Sequence, residues 1–548
     1  MVKQLMDLCF GCIAQNLNII SSVGKQLPTL HKEKILQWVV DHNMLTTDYL
    51  PHVTYHLFSP ALRTISFCHC EQINDKLLTQ LDACQCRLES ITIEGCKDVT
   101  DAGISALLSH QTELKSLTLN ELPELTGTGL EALVSANLCT VDMTQCINIV
   151  NRSILTVVSR NPTISTLNLG TCYKLNNEII PVIASSLNTN LEHMDLTSFH
   201  TLEDSDLITL SQHCTSLRGL VMHGCNRITS AGLLPLFAAC TQFQNLDISF
   251  SYKLQEPKHK EFLVHLPLSL RSLVLSGLHL EGQDILGAVS RLPKLHSLRL
   301  CGVNSLTEDS AAEIFQAIGP QLTCLDMTGC HQIMTDDLLR SIVKHCTSLE
   351  ELALGFCVKL TGEPLRRLFR DKQRAKYLTL LRFSGCKEMT HDVLLDLSES
   401  CHNLEKLFLA GIKSVDDTLL FSIANHMHNL VHISLKSCVG SSVDSVTDSG
   451  VVELARYCPL QDICLAGIQN ITDKSILALA NNCPNLKALF VSGCSKVTGQ
   501  ATRYLQDVSN KKVHVYHRVP NADPNLVMAK NLDTGEFCRV DQTKWSQW

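Results

Sequence analysis

At 548 residues the chain has room for several ordinary domains or for one elongated repeat array. Hydrophobic residues make up 45% and aromatics only 5%, so any core is built mainly from aliphatic side chains. A formal charge of −8 gives no general attraction to phosphate backbones, no apolar run reaches the roughly 18 residues of a membrane span, and the N-terminus lacks a leader pattern. Nucleic acid, membrane and secretion are therefore not expected, and the 26 cysteines read as reduced thiols of a cytoplasmic or nuclear protein.

The first element is "QLMDLCFGCIAQNL", residues 4–17. Leu5, Cys9 and Ile13 recur at i, i+4 and i+8, which places them on one face of a helix, and Leu8, Cys12 and Leu17 widen the stripe. Its C-x-x-C has no second cysteine pair at zinc spacing and no neighbouring thioredoxin-type βαβ pattern, so no metal or redox centre is expected there. "QLPTLHKEKILQWVV" (26–40) follows, with Leu27-Pro28 ahead of a second apolar-periodic helix that includes Ile35. Residues 1–60 stand before the first repeat, and the plainest reading is a cap over its open core.

From 61 to 511 the pattern L-x-x-L-x-L-x-x-C recurs about seventeen times. "LESITIEGC" from Leu88, "LRGLVMHGC" from Leu217, "LTCLDMTGC" from Leu322 and "LKALFVSGC" from Leu486 are clear copies, and most steps are 26 or 27 residues. This is the leucine-rich-repeat signature. Each copy continues into a helical pattern behind a capping Thr, Ser or Asp, as in "VTDAGISALLSH" from Val99. The expected fold is α/β: a leucine-rich-repeat solenoid, or horseshoe, with parallel strands on the concave face and helices on the convex face, behind a small helical cap. Ten cysteines close the strand segment, Cys70, Cys96, Cys146, Cys172, Cys225, Cys330, Cys357, Cys386, Cys438 and Cys494. Seven more, Cys84, Cys214, Cys240, Cys346, Cys401, Cys458 and Cys483, end helices. Both sets point into the core, so packing, not metal, is their expected role.

The residues beside the conserved leucines of each strand face the inner surface. Asp195 and Asp247 make its earlier part acidic, while Arg382, Lys406, Phe408, Lys436 and Phe490 bring aromatic and cationic groups to the later part. Phe and Arg on a strand face are typical interface anchors, so these seven are the candidate target-binding residues, with tail contact as the alternative for the aromatics. "RRLFRDKQRAKY" (366–377) carries six basic residues and reads as a solvated outer helix or loop, with phosphate or an acidic partner as the alternative. "VGSSVDSVTDSG" (439–450) reads as a polar loop, and 512–548 as a C-terminal cap or tail in which Trp545 and Trp548 argue for contact. No H-E-x-x-H, G-x-S-x-G or phosphate loop occurs, His223 has no evident nucleophile beside it, and neither enzymatic activity nor a cofactor is expected.

The repeats resemble those of F-box/leucine-rich-repeat proteins and of homologues of the antagonist of the mitotic exit network. Residues 4–17 resemble an elongin-binding BC box, with Leu5, Cys9 and Ile13 at its three positions, and 26–40 resembles a cullin box. The same order of elements is found in Zyg/Zer receptors. The resemblance implies a non-catalytic substrate receptor of a cullin–RING ubiquitin ligase of the cullin-2 type. Leu5, Leu8, Cys9, Ile13 and Leu17 would meet elongin C, with elongin B behind it, and Leu27, Pro28 and Ile35 would meet a cullin. A protein substrate would lie on the concave face. A non-ligase scaffold, or an F-box receptor of an SCF ligase, is the alternative.

Overall fold

The computed structural model describes residues 2–20, 26–41, 44–46, 48–68, 70, 72–438, 445–509, 513–516, 528–530 and 537–539. Three helices lead the chain: α1 (Val2–Gln15), α2 (Thr29–Asp41) and α3 (Leu50–Leu57). The first strand, β1 (Thr64–Cys68), and every later repeat strand stand at the position the repeat assigns them, and one more, His514–Tyr516, lies beyond the last copy. The chain divides into two compact units, 1–298 and 299–548. In the first, strands pair in parallel and in chain order from Ile65 opposite Ile91 to Leu246 opposite Leu273. In the second the same holds from Leu325 opposite Leu352 to Leu489 opposite Val515. This is the leucine-rich-repeat architecture.

The local reason is the two-residue alternation of a strand combined with the 3.6-residue turn of a helix. The central residue of each strand, such as Leu167, Met194 or Leu220, is buried against the helix layer, and its neighbours in the strand face away. Helices begin where an oxygen-bearing side chain caps them: Thr100, Thr229 and Thr472 each accept a hydrogen bond from the amide two residues on.

Consecutive repeats are tied together by a carboxylate that periodicity does not announce. The aspartate opening one helix accepts both the amide and the hydroxyl hydrogen of a threonine at or just before the start of the next. Asp75 holds Thr100 at 2.9 and 2.6 Å, Asp101 holds Thr126 at the same distances, and Asp448 holds Thr472 at 2.8 and 2.7 Å. Asp204, Asp336, Asp417 and Asp473 do the same for Thr229, Thr361, Thr447 and Thr498. In several of these links the close approach requires glycine in the following segment. A Cβ at Gly103 would stand 2.3 Å from the Asp75 carboxylate, and one at Gly450 would stand 2.5 Å from that of Asp417.

The cysteines make the matching link near the strands. The thiol of Cys146 donates to the carbonyl of Leu119 at 2.8 Å, Cys172 to Met143 at 3.0 Å and Cys386 to Leu354 at 3.1 Å, each one repeat back. A small apolar residue that also carries a weak donor therefore satisfies a buried carbonyl at the end of the ladder. Burial pushes the thiols of Cys172, Cys225 and Cys386 up to about 12. The assigned packing role holds for the strand-closing set, all of which are buried. At the first helix end it needs correction: Cys84 is partly exposed and Cys86 takes the buried place. Gln85 between them adopts a left-handed backbone (φ 51°), which shifts the register.

Asp448 also accepts from the amide and hydroxyl of Ser475. Burial pulls its pKa up, but the four hydrogen bonds outweigh this and hold the carboxyl below the ordinary aspartate value. Such a group contributes stability that is complete above its unfolded pKa and is lost as pH falls through its folded value. Asp448→Ala is expected to cost about 1–3 kcal/mol by stranding those donors. Denaturant midpoints should show this loss at neutral pH and its shrinkage as acid protonates the wild-type carboxylate.

Candidate partner-binding surfaces

The cap is built from two helices that share one interface. Phe10, Ala14 and Leu17 recur at i, i+4 and i+7 and are buried, while α2 buries Ile35, Leu36, Val39 and Val40. Gly11 fixes how closely the helices meet, because a Cβ there would come within 3.0 Å of the Trp38 indole. The Tyr49 hydroxyl closes the end of α1: it donates to the Ala14 carbonyl and accepts from the Leu17 amide at 3.1 Å. Below, a Glu33 carboxylate oxygen accepts from the amides of Arg63 and Thr64 at 2.8 and 2.9 Å. The sheet edge at β1 is thus paired by a side chain, not left open.

Phe10, Ala14 and Leu17 point inward, so the other side of α1 faces solvent. Met6, Cys9 and Cys12 are exposed and Ile13 is partly exposed. Leu5 and Leu8 lie within α1, and their side chains fall outside the described residues. Two candidate contacts are buried in the chain by itself. Leu17, at 1% exposure, is a core residue of the cap, as is Ile35 at 0%. Just ahead of α2, Leu27 is partly exposed and Pro28 exposed, near Leu30 at 60%.

On the strand face of the first unit, Asp195 and Asp247 stand in register with Asp142, two repeats apart in each case. Each closes its own turn: Asp195 accepts from the Thr197 amide at 2.7 Å and Asp247 from the Ser249 amide at 2.9 Å. Burial raises the pKa of Asp195, the Thr197 bonds oppose this, and Asp142 and Asp247 add to the rise. Sequence reasoning missed a neighbour of His223. Its Nδ1 lies 2.8 Å from the Ser249 hydroxyl, which itself donates to Asp247. Serine is the middle member of this chain, whereas a nucleophilic triad puts histidine there.

In the second unit the strand face departs from expectation at its aromatic. Phe408 is 5% exposed, with the Arg382 guanidinium 5.0 Å over its ring. Ser434, Asp462 and Cys464 beside it are buried too, and Asp462 pairs with His432 at 2.6 Å. Phe490 is partly exposed and stacks on Tyr516, the ring centroids 4.3 Å apart. Lys406 and Lys436 are also partly exposed, and burial draws the Lys436 ammonium down. The Arg382–Phe408 stack brings two of the candidates together, and the face is tightly packed around it.

The basic run is largely consumed internally. Arg366 and Arg370 share Asp396 at 2.7 and 2.9 Å. Arg374 donates to the carbonyls of Val343 and Cys346, both at 2.8 Å, and so caps the end of the helix Asp336–His345. Residues 439–444 of the polar loop and the two tail tryptophans lie outside the described residues. Among the described residues no group of His, Cys, Asp and Glu could hold a metal ion, and no helix is long and apolar enough to cross a membrane.

No family model matches the chain. It is 24% identical to the DNA repair protein RAD7 of Saccharomyces cerevisiae over 306 residues, 55% of this chain and 50% of that one. It is 35% identical over 101 residues to Antagonist of mitotic exit network protein 1 of the same yeast, 18% of this chain and 17% of the other. F-box/LRR-repeat protein 4 of Bos taurus is 25% identical over 273 residues, 46% and 42% of the two chains. The chain is similar to these three proteins over the stretches they share. It spans half or less of the length of the curated relatives it matches. Rad7 in its crystal structure with Elc1 covers 91% of this chain and 95% of its own at 16% identity, with a TM-score of 0.42.

Phe408→Ala is expected to lower stability by about 3–4 kcal/mol, as for a buried aromatic in a core. A thermal or denaturant melt checks this, since an exposed anchor would leave the transition within about 0.5 kcal/mol of wild type.

Proposed function

We propose that this protein is a non-catalytic substrate receptor of a cullin–RING ubiquitin ligase, which joins elongin B/C through α1 and presents a protein target on its strand face. The observation that carries the reading is the division of labour on α1. Phe10, Ala14 and Leu17 face the second helix and Tyr49, while Cys9 and Cys12 remain exposed on a different face of a helix that is already folded. A helix of this kind binds by laying an apolar stripe into a partner's groove, and Cys9 supplies a small residue for close approach. The relative Rad7 was crystallised with Elc1, which agrees with an elongin C-type partner here.

Leu27, partly exposed, and Pro28, exposed, just ahead of α2, remain available for a cullin of the cullin-2 type. Transfer of ubiquitin needs no reactive group on this chain. Holding a target lysine near a charged E2 raises their effective concentration, and proximity does the work. The strand face offers Asp195 and Asp247 in one unit, and Lys406, Lys436 and Phe490 around the Arg382–Phe408 stack in the other. Action in the cytoplasm or nucleus is part of the same proposal.

Full-length chain is expected to co-purify with elongin B/C, and Leu5→Ser/Ile13→Ser to lose it while circular dichroism stays unchanged. Leu5→Ala alone should weaken binding about tenfold, from the roughly 1.5–3 kcal/mol of burying one aliphatic side chain. Absence of elongin from the wild type would leave α1 a cap only and make this a scaffold. Capture of an SCF adaptor instead would favour the F-box reading.

A further inference from the structure

Most thiols of this protein are sealed. The strand-closing cysteines are buried, all but Cys70 donate to carbonyls one repeat back, and burial pushes Cys225, Cys330 and Cys438 to about 12. Among the described residues four cysteines are exposed: Cys9, Cys12, Cys68 and Cys139. Two of these four stand three residues apart on one helix, on its solvent side, with glycine directly before the second.

That spacing has a chemical consequence. Helix geometry puts the Cα atoms of i and i+3 roughly 5 Å apart, inside the window of about 4.4–6.8 Å that a disulfide spans. The Cβ atoms start about 5–6 Å apart and a disulfide holds them at about 3.5–4.5 Å, so closing the bond draws this turn tight. Gly11, within the loop that would close, gives the backbone freedom to comply. The same turn carries Phe10 and Ala14 on its inner side, and Gly11 rests against Trp38 without room to shift inward. Contraction at the outer side must therefore deform the surface that α1 presents.

We propose that Cys9 and Cys12 form a thiol switch: oxidation joins them within α1 and shuts the helix to its partner. The step balances with a peroxide as oxidant. The sulfur of one cysteine takes an oxygen from the peroxide, releasing water and leaving a sulfenic acid. The second sulfur displaces that hydroxyl, the S–S bond forms, and the remaining thiol hydrogen leaves in a second water. A thiol reductant reverses it. The partner half of the proposal rests on the docking role given to α1 above.

The test uses the full chain, reduced and then treated with hydrogen peroxide. Peptide mapping should find Cys9 joined to Cys12, and amide exchange should rise across residues 8–17 and return on reduction. Elongin B/C affinity should fall at least tenfold on oxidation and recover with reductant. In Cys12→Ser the oxidised-to-reduced affinity ratio should stay near one. The proposal is overturned if both thiols survive treatment that oxidises the exposed Cys139, or if the bond forms with exchange and affinity unmoved. Should the reduced wild type bind no elongin, the docking role of α1 falls, and mapping and exchange still decide whether the switch exists.

Discussion

No repeat of this chain can bury its own apolar face, and most of the structure follows from that. A strand of three to five residues with one helix leaves its core leucines open on two sides until the next repeat arrives. Stacking closes them, and the stacking is held at both edges by hydrogen bonds that reach exactly one repeat: aspartate to threonine at the helix starts, thiol to carbonyl near the strand ends. Each aspartate neutralises the free amides of a neighbour's helix start, so it stabilises two elements at once.

The same constraint governs the N-terminus. The first layer has no repeat before it, so α2, with α1 packed on it, supplies the missing surface, and Glu33 of α2 supplies an acceptor for the sheet edge. This settles which side of α1 is committed to the fold. With Phe10, Ala14 and Leu17 turned inward, the side that carries Cys9 and Cys12 is left for something else. A cap and a docking helix are not competing descriptions, since they use opposite faces of one element.

The repeats were fully legible, because leucines at fixed spacing report burial directly and the strands stand where those leucines place them. Side choice was harder. Residues 4–17 carry two apolar stripes, and periodicity cannot say which one a neighbour covers; the fit of Gly11 against Trp38 decides it, a contact between segments far apart in the chain. The burial of Leu17 and Ile35 was hidden for that reason. Phe408 was misread because its burial comes from side chains on adjacent strands, Arg382 above all, that no single repeat displays. The aspartate ladder did leave a partial signal, the Thr-Asp at 100–101, 335–336, 447–448 and 472–473, whose local capping role concealed its reach into the next repeat.

The central claim is that α1 meets an elongin C-type partner with the face it does not use for folding. Competitive alkylation of the native chain, with and without saturating elongin B/C, reads that face directly, because Cys9 and Cys12 lie on it while Cys139 is exposed in the repeats. The account predicts that the partner slows labelling of Cys9 and Cys12 and leaves Cys139 at its free rate. Unchanged labelling of Cys9 and Cys12 in a complex shown to be saturated would contradict it.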